Sequence, residues 1–104
     1  MDKLFETILR RKVGESDESS YTRYLFDQGL NKILKKLGEE CTETVIAAKD
    51  NNNAELVNEL ADLMYHMLVL MACKDVPLQA LYDELDKRAE TMGNLKISNS
   101  KGDL

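Results

Sequence analysis

The sequence predicts an all-α fold: a helical hairpin plus flanking helices, assembling as a dimeric helix bundle. Three observations predict it. Apolar residues recur at three- and four-residue spacing through most of the chain, and no stretch alternates as a strand requires. A polar run, Lys49-Asp50-Asn51-Asn52-Asn53, separates the two longest helical patterns and reads as a tight helix–helix turn. The helix that follows it is apolar around much of its circumference, more than a chain of 104 residues can easily bury alone.

Taken in order, Leu4, Phe5, Ile8 and Leu9 mark a first amphipathic helix from about Asp2 to Lys12. Gly14 to Ser20 is a polar loop, and at Tyr21-Thr22 a hydroxyl can cap the next segment. Leu25, Phe26 and Leu30 form either a short helix closed at Gly29 or the bent beginning of the next one. From Leu30 to Ala48 the set Leu30, Ile33, Leu34, Leu37, Cys41, Val45 and Ala48 keeps helical spacing and predicts one core stripe. Gly38 interrupts that helix at a cost of about 1 kcal/mol relative to Ala. Either a close approach by backbone or ligand, or tight packing without function, accounts for it.

The helix from Ala54 to Lys74 carries Leu56, Leu60, Leu63, Met64, Met67, Leu68, Leu70 and Met71 over a wide arc, with Glu59, Asp62 and His66 on one narrow polar line. So wide an apolar face predicts a homodimer, with helices from both chains forming the bundle. His66 reads either as a satisfied core histidine or as a support behind the carboxylates. Asp75-Val76-Pro77 stops this helix and starts another, with Asp75 as cap and proline in the first turn. Leu78, Leu81, Tyr82 and Leu85 make the last helix amphipathic, with Arg88 near its far end. Beyond Gly93 no pattern is sustained, so residues 1–95 are expected to form a single domain and 96–104 a loose tail.

The net charge of −5 argues against a general nucleic-acid or membrane-surface partner. Met1 to Arg11 mixes charges and does not resemble a secretory signal. Leu60 to Cys73 is apolar, but it contains Asp62 and His66 and is too short to span a bilayer. Cys41 and Cys73 have neither zinc nor redox spacing and are expected to be buried, reduced thiols, consistent with a cytoplasmic location.

The chemistry concentrates on the hairpin. Glu40 and Glu43 are three apart, as are Glu59 and Asp62, so each pair shares a helix face. Glu43 and Glu59 lie eight residues either side of Asn51, and Glu40 and Asp62 lie eleven either side. In an antiparallel pair, equal counts mean equal heights. Four carboxylates in one groove repel one another unless cations fill it, and oxygen-only ligands select hard ions such as Mg²⁺.

Around these acids the words Lys35-Lys36-Leu37-Gly38-Glu39-Glu40-Cys41-Thr42-Glu43, Val45-Ile46-Ala47-Ala48-Lys49 and Glu59-Leu60-Ala61-Asp62-Leu63-Met64-Tyr65-His66 resemble the phosphoribosyl-ATP pyrophosphatases of histidine biosynthesis. Ser20-Tyr21-Thr22 before the hairpin and Glu84-Leu85, with Arg88, after it also fit, so most of the chain is covered. The two acid pairs alone mark the wider MazG-like all-α nucleoside triphosphate pyrophosphatases. Cys41 departs from the small apolar residue usual after the paired glutamates.

The resemblance implies hydrolysis of phosphoribosyl-ATP to phosphoribosyl-AMP and pyrophosphate, with Mg²⁺, or Mn²⁺ in its place, held by Glu40, Glu43, Glu59 and Asp62. Glu39, four before Glu43, either reaches a second ion or orients water, or faces solvent. Lys36, Lys32 and Arg88 are candidates for phosphate contacts, against the alternative of solvated helix faces. Two other readings compete: a general nucleotide pyrophosphatase of the same broad fold, and a non-enzymatic helical interaction module whose acids are a solvated face. A di-iron bundle would want Glu-x-x-His pairs, and this chain has one histidine.

Overall fold

The computed structural model describes residues 1–14 and 20–95, which form five helices and no strand. They are α1 (Asp2–Lys12), α2 (Tyr21–Gln28), α3 (Leu30–Lys49), α4 (Asn53–Cys73) and α5 (Leu78–Leu95). The antiparallel pair α3 and α4 makes the largest helix–helix contact, α1 packs across α4, and α2 bridges α1 and α3. The polar turn folds as its composition requires. Asn51 takes φ 58°, a left-handed conformation asparagine tolerates, and the Asn52 side chain caps α4 by accepting from the Glu55 amide at 3.1 Å.

The short segment before the hairpin resolves as a separate helix. Gly29 ends α2 at φ 92°, where a Cβ would be strained. The cap at its other end is Ser20, not Tyr21 or Thr22: its hydroxyl accepts from the Arg23 amide at 3.1 Å. An eight-residue helix does not hold itself together in water, and its side chains show what does. Leu25 is fully buried, and the Arg23 guanidinium donates to the carbonyls of Arg11 and Lys12 at 3.2 and 3.1 Å, closing the end of α1. Lys12 does the same for α4, donating to the Ala72 carbonyl at 2.6 Å and to Asp75 at 2.8 Å.

Asp75 therefore does not cap α5. It sits at φ 58° just past α4, where its amide and that of Val76 satisfy the Ala72 and Met71 carbonyls, and its carboxylate is taken by Lys12. The helix α5 runs through Gly93 to Leu95, two residues past the point where the apolar pattern lapses; a single glycine in an 18-residue helix is tolerated. The expected tail, residues 96–104, and most of the expected polar loop, residues 15–19, lie outside the described residues. Among the described residues, the part of α5 that joins the core is its start, through Leu78, Leu81 and Tyr82.

The core is Phe5, Ile8, Leu25, Ile33, Leu68, Val69, Ala72 and Leu78. On α3 the expected stripe is buried only in its first half, at Ile33 and, partly, at Leu30 and Leu37. Ile33 and Ala47 are buried and Leu37, Glu40 and Thr44 partly so, whereas Leu34, Cys41, Val45 and Ala48 are exposed in the single chain. The expectation of a buried Cys41 thiol is thus overturned, because its track turns away from α4; Cys73 does pack against the core. Among the described residues nothing lies within 4 Å of where a Cβ on Gly38 would stand, so no close approach among them explains it. The helix α4 is long and apolar enough to cross a membrane, but it packs on α1 and α3 and buries Glu59 and His66, as the central helix of a bundle does.

Candidate active site

The hairpin brings three of the four expected acids together, Glu40, Glu43 and Glu59. The Thr44 hydroxyl lies 2.8 Å from the Glu40 carbonyl on its own helix and 3.4 Å from the Glu59 carbonyl across the pair, which fixes the register of α3 on α4. Around it, carboxylate oxygens of Glu40, Glu43 and Glu59 all lie within 4.8 Å of one another. Asp62, one turn along α4, stands outside that set but close enough for its charge to act on Glu40. Beside Glu43 and Glu59 an open groove of about 320 Å³ runs toward the turn, lined also by Ile46, Ala47, Asp50, Asn52 and Glu55.

Crowding acids into a partly dry site raises their affinity for protons. A hydrogen bond with Glu43 pushes the Glu59 carboxyl up to about 7, and burial and the Glu43 and Glu40 charges push the same way. Burial, then the Glu43 and Asp62 charges, also push Glu40 up. Among the described residues, Glu59 is buried with the Asn58 amide, at 3.5 Å, as its neutral side-chain donor, and Glu40 Oε2 is buried without a hydrogen-bond partner. A carboxylate with an orphaned oxygen, gathered with two other carboxylates, is what a hard divalent cation satisfies, so the donor set fits Mg²⁺ or Mn²⁺.

The remaining candidates are distributed unevenly. Glu39 is exposed and pairs with Lys36 at 3.1 Å instead of joining the cluster; this bond holds the Glu39 carboxyl below the usual range and Lys36 above its own. Lys32 lies over the Tyr24 ring, 5.8 Å from its centroid. Arg88 pairs with Glu84 at 3.1 Å, one turn back on its own helix, and α5 carries it beyond the turns that pack on the core. His66 is buried, as a core histidine would be, yet it also sits directly behind the acids: Nδ1 lies 2.7 Å from the Asp62 carbonyl oxygen and Nε2 2.9 Å from the Tyr21 hydroxyl. No periodicity singled out Tyr21 and Tyr65 as neighbours of the site; the only signal was their place in the family-like words.

Acids gathered on a helical hairpin, with an ammonium on the same face and an open groove alongside, suit an all-α hydrolase that works on polyphosphates through bound cations. Comparison with known proteins agrees. The chain belongs to the phosphoribosyl-ATP pyrophosphohydrolase family, whose model matches residues 3–89. Proteins named phosphoribosyl-ATP pyrophosphatase from Listeria innocua and Listeria monocytogenes are 57% and 51% identical to it over 104 residues, covering 100% of this chain and 99% of theirs. One from Clostridium novyi is 46% identical over 101 residues, covering 97% of this chain and 91% of its own.

Proposed function

We propose that this protein hydrolyses phosphoribosyl-ATP to phosphoribosyl-AMP and pyrophosphate, the second step of histidine biosynthesis, as a cytoplasmic homodimer using Mg²⁺ held by Glu40, Glu43, Glu59 and Asp62. The observation that carries the reading is the meeting of Glu40, Glu43 and Glu59 in a chain matched from end to end by relatives of that name. When bound, a divalent cation neutralises charge on the leaving pyrophosphate. The protein's own part is to hold the acids at one height and to keep Lys36 beside them for the phosphate oxygens. Glu39 restrains that lysine when substrate is absent. Lys32 and Arg88 are further cations for the same chain of phosphates.

Pyrophosphate release is to be measured from phosphoribosyl-ATP beside ATP and dUTP. Phosphoribosyl-ATP is expected to be turned over well ahead of the others, to lose turnover with EDTA, and to regain it with Mg²⁺ or Mn²⁺. Equal turnover of all three points instead to a general nucleotide pyrophosphatase, and none at all to an interaction module.

The dimer rests on exposed apolar surface. Leu34 and Val45 on α3 and Val57, Leu60 and Met64 on α4 are 37 to 68% exposed in the single chain. A largely apolar groove lined by Leu30, Leu34, Leu70, Met71, Lys74 and Val76 lies between α3 and the end of α4. Exposed apolar side chains on both hairpin helices suit an interface, and one copy of the hairpin suits another. Leu60→Lys is expected to shift sedimentation from dimer toward monomer; an unchanged sedimentation coefficient, or a monomeric wild type, contradicts the assembly.

A further inference from the structure

Phosphoribosyl-ATP and ATP carry the same triphosphate, so contacts with phosphates and cation cannot tell them apart. The difference lies at the far end of the molecule, where the second ribose is joined to N1 of the adenine. That bond changes the base itself. An adenine substituted at N1 takes a proton at its exocyclic nitrogen far more readily than adenine does, because the charge spreads over an amidinium. At neutral pH the purine of phosphoribosyl-ATP is therefore cationic and that of ATP is not.

The hairpin gives such a ligand a direction. Lys36, Glu43 and Asp50 follow one another at seven-residue spacing along α3 and its C-cap, two turns each time, and so share a face at intervals of about 10 Å. Phosphates drawn to Lys36 lie on one side of the acids, which leaves the base to point the other way, toward the turn. There the groove beside Glu43 and Glu59 opens, and its volume of about 320 Å³ is within the range of ligand clefts, which starts at about 300 Å³. Ile46, exposed beside the buried Ala47, supplies its apolar side. Asp50 and Glu55 stand opposite on its polar side, both exposed, and among the described residues neither pairs with a lysine or arginine. Lys49, next in sequence to Asp50, does not line it. The Asn52 cap on the Glu55 amide, at 3.1 Å, fixes the first turn of α4 that carries Glu55. None of the side chains assigned to the dimer face lines the groove. Once a cation engages Glu43 and Glu59, Asp50 and Glu55 set the sign of what remains: phosphate is repelled, a neutral base gains little, and a cationic one is favoured.

We propose that this groove binds the purine of phosphoribosyl-ATP in its cationic, N1-substituted form, with Ile46 against the ring and Asp50 and Glu55 paired with the amidinium, and that the protein selects its substrate over ATP here. The identity of the substrate rests on the proposed function.

The test compares 1-methyladenosine 5′-monophosphate, whose purine is cationic, with AMP, whose purine is neutral. Neither holds an anhydride bond to cleave, so affinity is read by calorimetry on the full chain in Mg²⁺ near neutral pH, without reference to turnover. Wild type is expected to bind the methylated nucleotide about tenfold more tightly, the size of a charge-assisted contact. Asp50→Asn combined with Glu55→Gln, exchanges that keep shape at exposed positions, is expected to bring the two affinities together by weakening the methylated one. Asp83→Asn combined with Asp86→Asn removes the same charge from exposed sites on α5 outside the groove and is expected to keep the preference. Ile46→Ser is expected to weaken both nucleotides alike. Equal affinities in the wild type, a preference that survives the change at Asp50 and Glu55, its loss on changing α5, or undiminished binding by Ile46→Ser each overturn the proposal. The proposed function fails separately, through absent pyrophosphate release from phosphoribosyl-ATP, a result that leaves the nucleotide preference standing.

Discussion

Glu59→Gln is expected to lower the rate of pyrophosphate release by about a hundredfold or more in saturating Mg²⁺, and at the same time to leave the metal-free protein as stable as the wild type or more so. The two effects have one cause. Glu59 is buried against Glu43 and Glu40, so without a cation its charge is a liability, and glutamine keeps its shape while removing that charge. With the cation the same charge is a ligand. Losing one of the few groups that stabilise developing charge costs about 10² to 10³ in rate. Binding to the native state alone adds stability in proportion to RT ln(1 + [L]/Kd), so Mg²⁺ should raise the wild-type melting temperature more than the variant's. Rank order of stability should therefore reverse, or at least close, between EDTA and Mg²⁺. Undiminished turnover in the variant, or a large loss of stability in EDTA, contradicts a cation-binding role for this side chain.

The sign of the pH effect follows. Glu59 is raised from 4.5 to about 7 in the folded chain. The stability linked to its protonation is then complete below the unfolded value near 4.5 and is lost as pH rises through about 7. Metal-free wild type is expected to lose stability between about pH 5 and 8. Glu40, also raised, acts in the same direction. Glu59→Gln should flatten that slope, and Mg²⁺ should flatten it in the wild type. Glu39 and Asp75, lowered by Lys36 and Lys12, titrate below this window and do not obscure it.

The turn and the equal heights of the acids were legible because both follow from counting. Asn51 reverses the chain, helical rise is constant, and Thr44 duly faces Glu59. The face of α3 was less legible for a physical reason. Two tracks on this helix satisfy the three- and four-residue spacing, and the one that packs on α4 includes Glu40 and Thr44. Apolar content alone favoured Leu34, Cys41, Val45 and Ala48, yet a carboxylate site built between two helices must place its acids on the packing face. Asp75 misled in the same way: a good capping residue stood before a proline, but a lysine 63 positions away had already claimed it. The partners of Tyr21 and Thr22 on α4 were beyond reach, since contacts 45 and 43 residues apart leave no periodic trace.

Leu25→Ala is expected to destabilise the protein by about 2–5 kcal/mol, measured by urea unfolding, the range for emptying a well-packed leucine site. Leu25 is fully buried, and α2 is too short to persist once its one buried anchor is gone. Against a total stability of about 5–15 kcal/mol the loss is severe. It should appear first as lost amide protection in α2, which would release Tyr21 from His66 as well. Leu34→Ala deletes the same atoms from a site 44% exposed in the single chain. In a monomer it should cost well under half as much, because little surface is returned to water. In a homodimer that covers this face, its cost should grow and the transition should depend on protein concentration. Equal and concentration-independent costs at the two leucines would contradict the burial of Leu25 or the coupling of Leu34 to assembly, and amide protection in α2 tells which.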